Sequence, residues 1–373
     1  MVLATGSFAH AESPVRLRIV SWNVWGVPAI TTRLDERMAA LPDAVAGLEP
    51  DIVCFQELWE ARHAESVSKR LGERGFREFR RFEAPAGLTG LFVASKLPLS
   101  GGTFRRFSIG RMPHSFWHLD WMVEKGVADV SVLTAVGELR IENTHLQAQY
   151  RTDRYAADRL AQAAELVLGN RERASEPLIV VGDFNGSGDE LPRRVLRDLG
   201  ALEDTNPSSS EDSVYVRGNR HTSIRVVSVK SVLGEAVPLG NGSKEPLSDH
   251  AALLVELELG RCTDCRSERR VASATRAAAI ESLERAADST PFRVVLALLT
   301  ALALLVLSVS WRRRLGRLTA GRRLRVFVRL LAFALLGAAF VWTSYLGVYY
   351  YPTRSKVLRQ IADQLESEGS VGL

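Results

Sequence analysis

The chain has 373 residues, 46% of them hydrophobic, enough for one large core with material left over, which excludes a chain disordered throughout. Its net charge of +5 points to a polyanion partner only until the charge is located. Arg312, Arg313, Arg314, Arg317, Arg322, Arg323 and Arg325 lie in one short stretch, so the rest of the chain is close to neutral and no nucleic-acid partner is expected.

Residues 1–15 read as a leader. Ala9-His10-Ala11 has the form of a signal-peptidase site, although Met1 to Phe8 lacks a basic start and is short for an apolar core; an ordinary disordered leader is the other reading. From Arg16 to Val20 polar and apolar residues alternate, giving a strand that delivers Asn23 to its tip. Leu34 to Leu48 has helical spacing with Pro42 as a kink, and Ile52 to Phe55 is a buried strand ending in Gln56-Glu57. A helix to about Leu71 and a strand from Gly90 to Ser95 follow. Gly101 to Gly126 reads as a long aromatic and basic loop containing Phe104, Phe107, Phe116, Trp117, Trp121 and Met122. Val127 to Val136 and Leu139 to Thr144 make a hairpin across Gly137-Glu138 whose second arm ends at His145. Asp153 caps a helix from Arg154 to Leu168.

Leu178 to Val181 is a further buried strand, closed by Gly182-Asp183-Phe184-Asn185. After it come a helix from Leu191 to Leu199, a Ser-rich stretch without pattern, a strand from Ile224 to Val232, and Leu253 to Leu259 behind Ser248-Asp249-His250. Strands, helices and a hairpin mixed in this way predict an α/β (α+β) domain over residues 16–260, with a mixed sheet or two packed sheets and helices outside. Residues 261–291 read as a linker and helical stalk, because Glu268 to Asp288 is Ala-rich with charges at helical spacing. Cys262 and Cys265 form a single C-x-x-C, either a local disulfide or two free thiols, and Cys54 sits in an apolar run as a core residue.

Val294 to Trp311 and Leu330 to Tyr351 are uncharged, and at about 1.5 Å per residue each can cross a hydrocarbon layer of roughly 30 Å. Two transmembrane helices are therefore expected within 292–351, joined by the Arg-rich loop 312–325 and followed by a tail, 352–373. A pair of buried core helices is the alternative, but the runs are apolar all round and Trp342, Tyr345, Tyr349, Tyr350 and Tyr351 gather at one end like an interfacial belt. An arginine-rich loop stays cytoplasmic, which places the N-terminal domain and the tail on the other side.

Asn23, Glu57, His145, Asp183, Asn185, Asp249 and His250 all stand at strand ends. Asp183 and Asn185 are two apart, so in extended backbone both would face one side and could hold a water molecule; a turn closing the strand accounts for the same residues. Carboxylates and amides without thiolates form a hard donor set suited to Mg²⁺, with Mn²⁺ the other candidate. Two histidines beside such a metal suit phosphoryl chemistry, where charge builds on phosphorus.

Ser21-Trp22-Asn23-Val24, Gln56-Glu57-Leu58-Trp59, Asn143-Thr144-His145-Leu146, Gly182-Asp183-Phe184-Asn185 and Ser248-Asp249-His250 follow one another as in the endonuclease/exonuclease/phosphatase superfamily, which the chain resembles from about Arg16 to Leu259. Within it the chain is most similar to neutral sphingomyelinases, through Trp22 to Pro28, Ser95-Lys96-Leu97-Pro98, Asp120 with Lys125-Gly126-Val127, and His145 to Tyr150. The resemblance implies a four-layer sandwich of two mixed sheets, with Glu57 as the central Mg²⁺ ligand and Asn23 and Asp249 beside it. It implies further that Asp183 and Asn185 activate water, that His145 and His250 contact phosphate and move protons, and that Asp120 and Lys125 are regulatory or close to substrate. The expected substrate is a phospholipid in a bilayer, sphingomyelin being cleaved to ceramide and phosphocholine. The alternatives are another phosphoester on the same fold or a catalytically weakened lipid-binding protein. The aromatic loop is then an interfacial contact or a lid. Family members usually carry an acidic residue in the strand that precedes the last motif, where it orients the final histidine; Ser223 to Ser228 has none, which leaves Glu211 or Asp212 as substitutes from the preceding loop.

Overall fold

The structure, a computed structural model, describes residues 14–371 except 29, 86, 111–118, 151–154, 208–210, 240–241, 264, 266–272 and 315–321. Residues 1–13 of the predicted leader, the Asp153 cap, Phe116, Trp117 and residues 315–321 of the Arg-rich loop lie outside them. Two compact units are present, one comprising residues 14–110 and 122–276 and the other residues 119–121 and 277–371.

Among the described residues the first unit contains fourteen strands: β1 (Val15–Asn23), β2 (Ile52–Gln56), β3 (Glu78–Ala84), β4 (Gly87–Ser95), β5 (Leu99–Arg106), β6 (Gly126–Thr134), β7 (Gly137–His145), β8 (Leu178–Asp183), β9 (Glu203–Asp204), β10 (Asp212–Arg217), β11 (Thr222–Val232), β12 (Val237–Pro238), β13 (Lys244–Glu245) and β14 (Ala252–Arg261). Its helices are α1 (Leu34–Ala46), α2 (Ala61–Gly72), α3 (Ala156–Gly169) and the short α4 (Leu191–Arg194). Two six-stranded sheets form, ordered β11-β14-β1-β2-β4-β3 and β5-β6-β7-β8-β10-β9, and β12 pairs with β13 in a small ribbon.

Both sheets are mixed. β1 runs parallel to β2 and β7 parallel to β8, while the remaining pairs are antiparallel. Side-chain alternation builds the layers: Leu17, Ile19, Ile52 and Cys54 point into the core between the sheets with Ile141, Ile179, Val181 and Val214. On the other face of the first sheet Val20, Trp22, Val53 and Phe55 pack on Met38, Leu41 and Val45 of α1 and Val67 and Leu71 of α2. Helix α3 lies against the second sheet, where Arg105 of β5 donates to Glu165 O and Asn170 to Glu142 of β7.

The parallel pairs place the site. In register Asn23 stands beside Gln56 and His145 beside Asp183, so the C-terminal ends of four strands share one end of the sandwich. The two sheets are pinned there by Asn143: its amide accepts from Gln56 Nε2 (2.8 Å) and donates to the carbonyls of Phe55 (2.9 Å) and Phe92 (3.2 Å). Antiparallel β14 starts at this end, which brings Ser248-Asp249-His250 beside Asn23.

Three elements differ from the expectation. Leu99–Arg106 is a strand rather than the start of a loop, Phe107 is buried, and Phe104 packs on the inter-sheet core, so of the described aromatic-loop residues only Trp121 and Met122 are exposed. The charged segment Glu78–Ala84 is β3. The Ser-rich stretch gives way to β10, which pairs with β8.

In the second unit α5 (Ser273–Asp288), α6 (Thr290–Arg314), α7 (Arg322–Tyr345) and α8 (Tyr351–Val371) are all helical, so the expected tail is a helix of 21 residues. Two helical stretches, Ser273–Leu307 and Val326–Glu368, are long and apolar enough to cross a membrane. Helices α6 and α7 pack side by side. At the far end of this hairpin Ser355 donates to Ala287 O (3.1 Å) and Arg359 pairs with Asp288 (2.7 Å), tying α8 to α5. Cys262 and Cys265 form a disulfide just after β14.

Candidate active site

Asp183 is the last residue of β8, buried at the centre of the site. Its Oδ2 accepts from Asn23 Nδ2 (2.9 Å) and lies 3.5 Å from His145 Nε2 and 3.9 Å from His250 Nε2. Its Oδ1 accepts the backbone N–H of Asn185 at 2.9 Å. That bond closes a turn, and Asn185 adopts φ 49°, so the two side chains do not share one extended face as predicted. The turn and the site are the same structure: one carboxylate oxygen holds the turn and the other faces the histidines. The Asn185 side chain donates to Leu146 O (3.0 Å), fastening this turn to the one after His145.

Asn23 links two carboxylates, because the same Nδ2 also donates to Glu57 Oε1 (3.1 Å) while Oδ1 accepts from Trp25 N–H (3.0 Å). Glu57 follows β2 in the left-handed region at φ 61°, a conformation costly for a non-glycine residue and characteristic of functional turns. Ser248 donates to Asn23 O (2.7 Å) and to Asp249 Oδ1 (3.3 Å), and it accepts from His250 N–H (3.1 Å), which sets the last motif against the end of β1. Buried Arg37 of α1 reinforces this junction by donating to the carbonyls of Val24, Trp25 and Leu247.

The carboxylate absent from β11 is supplied by β10. Asp212, its first residue, stands opposite Asp183 in register, and its Oδ2 lies 2.7 Å from His250 Nδ1. It belongs to a strand and not to the loop in which it was expected. Burial favours the neutral His250 ring, but the hydrogen bond to Asp212 and then the negative charge of Asp183 raise it to about 10. Asp212 is itself pushed up to about 6, mainly by burial, with the His250 bond opposing and the Asp183 charge adding. Between these values the pair is an imidazolium on a carboxylate. For Asp183, burial works upward, but the positive charges of His145 and then His250 outweigh it and hold the carboxyl below its usual range.

Asp183, Asp212 and His250 are close enough to share a cation, yet an imidazolium occupies that geometry and fits proton transfer better than metal ligation. The residues expected to hold a metal are linked through Asn23. There Glu57 and Asp183 share one amide donor, and exposed Asp249 is joined to the same turn through Ser248; these hard oxygen donors fit a small divalent cation. No cluster of three His, Cys or carboxylate groups among the described residues includes Glu57 or Asp249. Of the two residues given a regulatory reading, Asp120 is buried in the 3₁₀ turn Leu119–Met122. Lys125 is buried immediately before β6, its carbonyl accepting from Phe107 N–H.

Residues 20–250 match the endonuclease/exonuclease/phosphatase family, more than half of the chain. The chain belongs to this family. Among family relatives it is 30% identical over 214 residues to inositol phosphosphingolipids phospholipase C of Schizosaccharomyces pombe, covering 56% of this chain and 50% of that one. It is 27% identical over 194 residues to sphingomyelin phosphodiesterase 2 of Homo sapiens, covering 51% and 46%. The chain thus spans about half the length of these two curated relatives. The family fold is shared with sphingomyelinase C from Streptomyces griseocarneus at a TM-score of 0.50 and 17% identity, over 65% of this chain and 99% of that one.

Proposed function

We propose that the chain is a membrane-tethered, Mg²⁺-dependent phosphodiesterase that cleaves sphingomyelin, or a related phosphosphingolipid, to ceramide and a phosphorylated head group. The observation that carries this reading is the His250–Asp212 pair at 2.7 Å beside an ionised, buried Asp183. Two relatives whose names specify phosphosphingolipid cleavage support the substrate class. Glu57, with Asp249 and the Asn23 amide alongside, would hold Mg²⁺, which when bound draws negative charge from the phosphate.

Asp183 then accepts a hydrogen bond from the attacking water and orients it, while Asn185 keeps the loop in place through Leu146. His145 and His250 both lie within 4 Å of the same oxygen of Asp183, at 3.5 and 3.9 Å, so both would be within reach of a phosphoryl group bound there. Being cationic at neutral pH, His250 stabilises charge on phosphorus and supplies the proton taken up by the departing ceramide oxygen; the water leaves one hydrogen on the phosphate it forms and gives the other to solvent, from which His250 is reprotonated. A lipid substrate also gives the apolar helices a purpose: side chains such as Leu299, Leu302, Leu330 and Leu335 are exposed, as lipid contact requires. Anchored in the bilayer, the site works at a high local concentration of substrate.

The test is phosphocholine release from sphingomyelin in mixed micelles, with Mg²⁺ or with chelator, for the wild type and Glu57→Ala. Release should need Mg²⁺ and fall by about a hundredfold or more in the variant. Release of inositol phosphate from an inositol phosphosphingolipid, with none from sphingomyelin, would reassign the head group. No cleavage of either lipid would remove the proposal.

A further inference from the structure

A buried arginine outside the substrate-facing set joins the supports of both site aspartates. Beyond Asp183 the backbone leaves β8, with Phe184 N–H still donating to Glu211 O at 2.8 Å, and Asn185 and Gly186 are held by other anchors. Arg193, on α4, is fully buried. Its Nη1 reaches Gly186 O at 3.4 Å, directly after the catalytic turn. Its Nε donates to Tyr215 Oη at 2.8 Å, and the Tyr215 ring stands edge-on to Phe184 with centroids 4.9 Å apart. Its Nη2 donates to Asp204 Oδ2 at 2.7 Å and to Asn206 O at 3.3 Å. The other Asp204 oxygen accepts from Ser213 Oγ at 2.5 Å, and Ser213 is the neighbour of Asp212 on β10.

We propose that Arg193 is a positioning residue which, through Tyr215 and Asp204, fixes the catalytic turn against the first residues of β10 and thereby places His250 for reaction. The proposal rests on the reading of Asp183, Asp212 and His250 as the reactive groups. A planar guanidinium with five donors can bond a carboxylate, a phenol and two carbonyls in different directions, whereas a lysine ammonium at the end of a flexible stem cannot keep all four. Burying such an ion pair contributes little net stability, since desolvation offsets the attraction. Two of its acceptors, Gly186 O and Tyr215 Oη, belong to the segments that carry the aspartates, and a third, Asp204 on β9, is joined to the second of these segments through Ser213, which is the geometry expected of a positioning group.

The experiment uses the full-length, detergent-solubilised protein with Arg193→Lys and Tyr215→Phe. Turnover in mixed micelles, hydrogen exchange at the backbone amides of residues 184–186 and 212–215, and the thermal midpoint are read together. Loosening the turn should speed exchange at these amides by about tenfold or more in Arg193→Lys, with exchange in the middle of β8 unchanged. At the same time kcat should drop by about 10- to 100-fold with KM changed less than about threefold. Tyr215→Phe, which removes one hydroxyl and keeps the ring, should move both readouts in the same direction by less. A lower thermal midpoint with local exchange and kcat unchanged would show that Arg193 only stabilises the fold, and would overturn the proposal. If Arg193→Lys does not fold, Tyr215→Phe decides alone, unchanged exchange at the turn counting against it. A wild type that cleaves no lipid refutes the functional reading instead, and exchange at the turn still decides the role of Arg193.

Discussion

Around Asp183 two carboxylates and two imidazoles share one buried space, and the proton they hold in common decides what each can do. Asp212→Asn tests this directly, because it keeps the shape of the side chain and removes its charge. In the wild type the His250 ring stays cationic until the pH rises through about 10, so activity that depends on the imidazolium persists through neutral pH and is lost above that value. Without the Asp212 carboxylate the loss moves toward the ordinary histidine range near 6.5. The expectation is a kcat/KM about a hundredfold or more below wild type at pH 8, recovering in part at pH 6. An alkaline limb left at its wild-type position would mean that Asp212 does not control His250. Asn23, Glu57, His145, Asp183 and His250 could be picked from the sequence because each ends or closely follows an apolar strand pattern or begins the next one. Asp212 was visible only as a loop substitute, since Asn206-Pro207-Ser208-Ser209-Ser210 masks the start of the short run Val214-Tyr215-Val216. Arg37 and Arg193 were not legible at all. An arginine on a helix reads as a solvated residue until distant carbonyls, here Leu247 and Gly186, are brought to it by the fold.

The site depends on two sheets meeting at a fixed separation, and Asn143 on β7 sets it with three buried hydrogen bonds to Gln56, Phe55 and Phe92. Asn143→Leu fills a similar volume but leaves those partners unpaired in the interior. It should destabilise the protein by about 3 kcal/mol, to be read from denaturant unfolding of the first unit's tryptophan signal. A loss under about 1 kcal/mol would show that the sheets do not rely on this residue. Elements differed in legibility for a related reason. β2 and β8 lie within their sheets, so their sequences are continuous apolar runs that announce buried strands. β3 and β5 are sheet edges, and their sequences, Glu-Phe-Arg-Arg-Phe-Glu-Ala and Leu-Ser-Gly-Gly-Thr-Phe-Arg-Arg, carry the charges and glycines that edge strands tolerate, so neither has a clean period of two.

For the whole molecule, the arginine-rich segment and the helical hairpin together make a statement about sidedness. The contacts Ser355–Ala287 and Arg359–Asp288 hold the end of α5 that leads into α6 beside the first half of α8, so a bilayer crossed by α6 and α7 would have both on one face and the connecting loop on the other. On the membrane-tethered reading proposed above, seven arginines without an acidic neighbour would keep that loop on the cytoplasmic face, and the domain over residues 16–260 is expected on the opposite one. Trypsin added to sealed vesicles tests the arrangement, because the loop offers a dense set of cleavage sites. With the cytoplasmic face outward, cleavage should fall between the two apolar helices and leave one fragment carrying the complete N-terminal domain, still protected inside. With the opposite face outward, the domain should be attacked while the loop survives until detergent opens the vesicles. Cutting of both from the same face would contradict the hairpin as a membrane crossing, and release of the uncut protein by salt or alkaline wash would show that the apolar helices do not enter the bilayer.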